Sequence, residues 1–167
     1  MIRYLLLWIG LFMAMPLLSQ IPRNAAGQFE YAQSITQDNT PSGTLLQRAQ
    51  KFFSRPMLVH WDSVYTVEKN GSSAVAGNGY VEIGLSSGLL GSRVRVPLQY
   101  IIMPGNNSYQ YSIRQMGVKS TEKGMQFPLE EKPQGMKSKH YDQLINRTHR
   151  YLQRVIGYMK REMNGFE

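Results

Sequence analysis

The last part of the chain constrains the fold most. From Ser138 onward, Tyr141, Leu144, Ile145, Thr148, Leu152, Val155, Met159 and Met163 hold one helical face for over twenty residues. A stripe of that length stays helical in water only if a complementary apolar surface covers it. The rest of the sequence must therefore supply a surface broad enough to receive it. Most of that sequence has the two-residue period of strands. Phe29, Tyr31 and Ile35 alternate with polar residues, and Gln33 interrupts the apolar side. Ser63 to Lys69 is rich in β-formers, Asn70-Gly71 is a strong hairpin signal, and a return strand runs from Ser73 to Leu85. Arg93 to Met103 carries Val94, Val96, Leu98, Tyr100 and Ile102 on one face, and Tyr109, Tyr111 and Ile113 mark its partner, ending near Val118. One further helix interrupts the strands: Leu45, Ala49, Phe52 and Phe53 form a stripe, with Thr40 as the expected cap and Arg55-Pro56 as the stop. Ser138 is the expected cap of the last helix.

The order is β-α-β-β-β-β-α, which lacks the strand–helix alternation of a parallel doubly wound sheet. The expectation is an α+β fold: a mostly antiparallel sheet with two helices on one face, the other face solvated or available for binding. Gly77 and Gly79 predict a bulge or a close approach by another element. Pro97, which has no N–H for a ladder, predicts an edge or a bulge in its strand. Lys119 to Lys137 shows little periodicity and reads as a long surface loop.

At the other end, Arg3 precedes an unbroken apolar run from Leu5 to Met15, which Pro16 ends. The run is shorter than the ~20 residues a bilayer span needs, and it suits a secretory leader. We expect a signal peptide over 1–19, a single α+β domain over 20–167, and an exported protein, periplasmic or extracellular. The chain has no cysteine, which excludes disulfides, thiolate catalysis, thiolate metal sites and a lipidated N-terminal cysteine. Its formal charge of +8 favours anionic partners.

Several residues together resemble a known family. They are the strand around Phe29-Glu30-Tyr31, the helix Leu45-Leu46-Gln47-Arg48-Ala49-Gln50-Lys51-Phe52-Phe53, the strand Val75-Ala76-Gly77-Asn78-Gly79, and the terminal helix. With the leader, this pattern is similar to the domain of unknown function numbered 4468, found in exported proteins of Bacteroidetes. The resemblance spans roughly residues 25 to 163 and implies a TATA-binding-protein-like (TBP-like) fold. It implies no activity and carries no functional residues. Phe52-Phe53 stand where tryptophan is common in the family, and a tryptophan follows later as Trp61.

No catalytic constellation is evident. Gly84-Leu85-Ser86-Ser87-Gly88 matches the spacing of a nucleophile elbow, with Asp142 and His149 in chain order, but a strand follows it where that motif requires a helix. His140 and His149 lie nine residues apart on one helix and point to opposite sides, so they cannot share a metal. No cofactor is expected. Arg147, Arg150, Arg154 and Arg161 form a stripe on the last helix, either its solvated back or a grip for anions. Leu89 and Leu90, at a Gly/Ser-rich loop tip, are candidates for contact with a partner or a membrane surface. Tyr100, Tyr109 and Tyr111 read as cross-strand packing or as an aromatic platform. The leading expectation is a non-enzymatic binding or interaction module of the bacterial envelope, its partner another envelope protein or an anionic polymer rather than nucleic acid. The alternatives are a small serine hydrolase using the 84–88 loop and electrostatic docking through the C-terminal helix.

Overall fold

The structure is a computed structural model that describes residues 21–55, 58–69, 71–85, 93–120 and 122–165. The elements are β1 (Tyr31–Thr36), α1 (Ser42–Ser54), β2 (His60–Lys69), β3 (Ser72–Gly84), β4 (Arg93–Gly105), β5 (Ser108–Arg114), β6 (Gly117–Ser120), β7 (Gln126–Pro128) and α2 (Ser138–Met163). The five longer strands run in the order β1-β5-β4-β3-β2, and every pairing is antiparallel. Short turns create the middle of this order. Lys69 pairs with Ser72 across a two-residue connection in which Gly71 has a positive φ. Gly105 pairs with Ser108 across Asn106 and Asn107, the latter at φ 57°. Only β1 joins a strand distant in sequence, lining up along β5.

Register places one set of side chains on one face: Tyr31 of β1, Tyr109, Tyr111 and Ile113 of β5, Val94 to Ile102 in alternation on β4, and Val75, Val81 and Ile83 of β3. Both helices lie on this face. Phe52 and Phe53 of α1 pack against Tyr100, and His149 of α2 packs against Tyr31. Each large side chain buried there is worth about 1.5–3 kcal/mol, which is what holds the two amphipathic stripes to the sheet. Between the helices, the nearly buried Glu162 carboxylate of α2 meets Lys51 of α1 at 3.2 Å and Arg55, which caps the end of α1, at 3.0 Å. Arg48 also donates to the Met163 carbonyl at the end of α2.

The two strand glycines have distinct reasons. A Cβ at Gly77 would lie 2.6 Å from the Phe53 ring and 2.9 Å from Trp61, so this position lets α1 come down onto the sheet. A Cβ at Gly79 would lie 2.3 Å from the His60 carbonyl oxygen, beside the register shift between Trp61 and Ser63. Trp61 lies 4.7 Å from Phe53 between ring centroids, so the displaced tryptophan joins the aromatic cluster at the end of α1.

Pro97 lies in the central strand β4, and its bulge is in the neighbouring strand. Going from Gln99 to Arg95 takes four steps on β4, while the partners Arg114 and Lys119 are five apart. The extra residue falls at Gln115, with φ 57°, where the ladder beside the missing proline N–H is already broken. The strand expected to continue to Val118 is therefore divided into β5 and β6.

Some local expectations fail. Thr40 does not cap α1: its hydroxyl donates to the Asp38 carbonyl, and Pro41 occupies the cap position. Asn106 and Asn107 serve this end instead, accepting from the backbone N–H of Ser42 and Thr40. Ser138 is already within α2, whose cap residue is Lys137. The segment after Lys119 is not all loop. It forms β7 against β6, and Leu129 and Met136 are buried. Ile21 is also buried, so the segment before β1 is tied down, with Arg23 bridged to Phe29.

Candidate functional site

Along β3, pairing with β2 stops where Tyr80 meets His60. Residues 81–84 continue in register with β4 up to Gly84 opposite Arg93. Their outer edge has no strand partner among the described residues. The middle of α2 lies beside that edge. Arg147 donates to the Gly84 carbonyl, and one turn later the Tyr151 hydroxyl donates to the Leu58 carbonyl, just before β2 begins. The helix thus follows the edge with its residue numbers rising as those of β3 fall.

Between the two lies a cleft of about 750 Å³, lined by Glu82, Ile83 and Gly84 on the sheet side and Arg147, Arg150, Tyr151 and Arg154 on the helix side. Arg154 lies over the Tyr151 ring, 5.0 Å from its centroid, so the ring supports the guanidinium. Arg150 is held loosely at its own helix, with Nε donating to the Asn146 carbonyl at 3.4 Å. Glu82 is the one acid in the lining, and its carboxylate pairs with Arg95 at 3.3 Å. Three cations therefore face a site whose single anion is already matched.

The structure brings together three of the four stripe arginines. Arg161 belongs elsewhere, 5.8 Å over the Tyr158 ring. Leu89, Leu90 and Ser86 lie outside the described residues. His149 faces the core: its Nδ1 shares a 2.7 Å hydrogen bond with the Tyr31 hydroxyl. Burial pushes the His149 pKa down from its ordinary value. Burial, followed by the neighbouring Tyr111, pushes the Tyr31 phenol up. Both shifts favour a neutral pair. His60 stacks on Tyr80, with centroids 4.9 Å apart. Among the described residues no group of three or more metal-ligating side chains assembles, and no helix is long and apolar enough to cross a membrane.

The aromatic platform does not exist. Tyr100, Tyr109 and Tyr111 are all buried beneath the helices. On the uncovered face, Ser63, Asn78, Gln99 and Arg114 form one hydrogen-bonded rung across four strands. Asn78 donates to Ser63 at 3.4 Å, Gln99 to Asn78 at 3.1 Å, and Arg114 to Gln99 at 3.0 Å. The face is thus partly satisfied by its own side chains.

Sequence reasoning found the arginines but missed the sheet edge opposite them. The signal was present in Gly84, where the strand ends in a connection rich in glycine and serine.

No family model matches the sequence, and no curated protein matches it. Among solved structures, a TBP-like protein from Parabacteroides distasonis matches with a TM-score of 0.67 over 88% of this chain and 99% of its own, at 12% identity. A DUF4468 family protein from Bacteroides ovatus matches with a TM-score of 0.63 over 88% of this chain and 91% of its own, at 10% identity. Both are neighbours of the kind that the sequence resemblance names. At these identities the likeness establishes the fold, an antiparallel α+β sheet of TBP-like form, and nothing about activity.

Proposed function

We propose that this chain is an exported, non-enzymatic binding module of a bacterial envelope, and that it holds an anionic partner in the cleft between α2 and β3. The observation that carries this reading is the convergence of Arg147, Arg150 and Arg154 on one cleft whose only acid is already paired. Guanidinium groups suit this role because they stay charged and offer several donors in a fixed plane. The apolar leader run supports export, and the Bacteroidetes origin of both structural neighbours supports a bacterial envelope. The His149 ring is committed to Tyr31, and this favours binding over hydrolysis by the 84–88 loop.

The test is fluorescence anisotropy with labelled polyglutamate, comparing wild type with the double variant Arg150→Glu, Arg154→Glu. The control is Lys139→Glu, Arg161→Glu, which changes net charge equally away from the cleft. Reversing two of three converging charges should weaken binding at least about tenfold, a loss of about 1.4 kcal/mol. The control should lose little, because at physiological salt charges beyond about 8 Å are screened. Equal losses in both variants would reduce the effect to net charge and overturn the reading.

A further inference from the structure

We infer that the partner of this cleft is an extended acidic polypeptide segment, which adds as a strand to the edge of β3 at residues 81–84, where no strand pairs among the described residues. This inference rests on the anion-binding reading above and specifies the partner's chemistry. Three observations lead to it.

The first is the state of the backbone. In an antiparallel ladder the N–H and C=O of one residue point to the same side, and successive residues alternate. The Gly84 carbonyl points away from β4, toward Arg147. By alternation Glu82 also presents its N–H and C=O to the cleft, and Gly84 presents its N–H. These groups are at the wall of a site that anions can enter. A ligand without a peptide backbone would leave them to water, whereas an added strand pairs with them.

The second observation is spacing. Residues 81–84 offer an edge of about 10 Å, three steps of ~3.3 Å. Arg147 to Arg154 covers about 10.5 Å of helix axis, and Arg150 and Arg154 are about 6 Å apart along it. Side chains on one face of a strand repeat every ~6.6 Å. A strand laid along β3 therefore places alternate side chains near successive arginines, because α2 follows the edge.

The third is the sign of charge on the two faces. Side chains directed toward the helices meet Arg150 and Arg154. Those directed to the open face lie beside the matched pair of Glu82 and Arg95, which offers a further acid no net attraction. The matching sequence therefore alternates, with acids toward α2 and uncharged residues toward Glu82.

The experiment uses the full mature chain and a fluorescent, end-capped octapeptide of alternating glutamate and valine. Two copies are N-methylated, one at every glutamate and the other at every valine. Only one set of N–H groups faces β3 in an added strand, so one methylated copy should lose at least about tenfold in affinity while the other binds within about threefold of the parent. An all-glutamate octapeptide should bind more weakly than the alternating one despite its greater charge, and Glu82→Gln should narrow that difference. If both methylated copies bind like the parent, or both lose equally, strand addition is overturned while the anion site stands. If no peptide binds and polyglutamate also fails, the anion-binding reading itself falls.

Discussion

Replacing Gly79 with alanine should damage this protein more than replacing Gly77, although the two lie on the same strand and face. At Gly77 the new Cβ would sit 2.6 Å from a Phe53 ring carbon and 2.9 Å from Trp61. Ordinary contact begins near 3.4 Å, so the ring must retreat by roughly 0.8 Å. Side-chain rings can shift within a core, and overpacking of this kind costs about 1–3 kcal/mol. At Gly79 the obstacle is the His60 carbonyl oxygen at 2.3 Å, and Trp61 Cα is at 3.1 Å. Backbone must move by roughly 1 Å. That separates β2 from β3 where the register shift already weakens the ladder. Loss of the first cross-strand hydrogen bonds adds to the steric term, for a total of about 3–4 kcal/mol. Denaturant titration followed by tryptophan fluorescence measures both, and thermal melting should fall by about 3 °C for each kcal/mol. The double variant Gly77→Ala, Phe53→Leu should recover part of the first loss, because the smaller side chain vacates the contact. No change at Phe53 should rescue Gly79→Ala. If Gly79→Ala is the milder substitution, or if Phe53→Leu rescues both, the distinction between a ring contact and a backbone contact is wrong.

The other expectations concern single side chains. His149 has a folded pKa below its unfolded value, so its contribution to stability is complete above about pH 6.5 and is lost as pH falls toward the folded value. The denaturation midpoint should therefore drop between pH 7.5 and 5.5 by more in wild type than in His149→Phe, and parallel profiles would remove His149 as the cause. Glu162→Gln should cost about 1–2 kcal/mol, since a nearly buried carboxylate loses its charge between Lys51 and Arg55. The loss stops there because both cations are about 40% exposed and can turn to water. An unchanged urea midpoint would refute it. Gln115→Gly should stabilise by about 0.5–1 kcal/mol by relieving a left-handed backbone at the bulge. A destabilised Gln115→Gly variant would mean that the glutamine side chain itself holds the bulge.

Legibility in the sequence followed the range of the interaction. The stripe from Tyr141 to Met163 forms α2, and the alternation from Val94 to Ile102 forms β4. Asn70-Gly71 marks the β2–β3 hairpin, because the positive φ at Gly71 is a property of that residue alone. Helix caps were misread because Thr40 and Ser138 have local rivals, and the donors at α1 are met by Asn106 and Asn107, over sixty residues away. The short strand β7 was missed because three residues carry too little alternation to register.

By itself the sequence determined the element types and the antiparallel class, since both follow from periodicity. It left Gly77 and Gly79 between a bulge and a close approach, and it expected the irregularity at Pro97 in that residue's own strand, whereas β4 is central and the extra residue lies in the neighbouring strand. Tertiary structure decided that β1 lies along β5, that Glu162 clamps Lys51 and Arg55, and that three of four arginines meet the Glu82–Gly84 end of β3 while the fourth rests on Tyr158. A helical stripe fixes only which residues share a side. What that side faces depends on how far β2 extends along β3, and His60 ends that pairing opposite Tyr80, eighty-seven residues before Arg147.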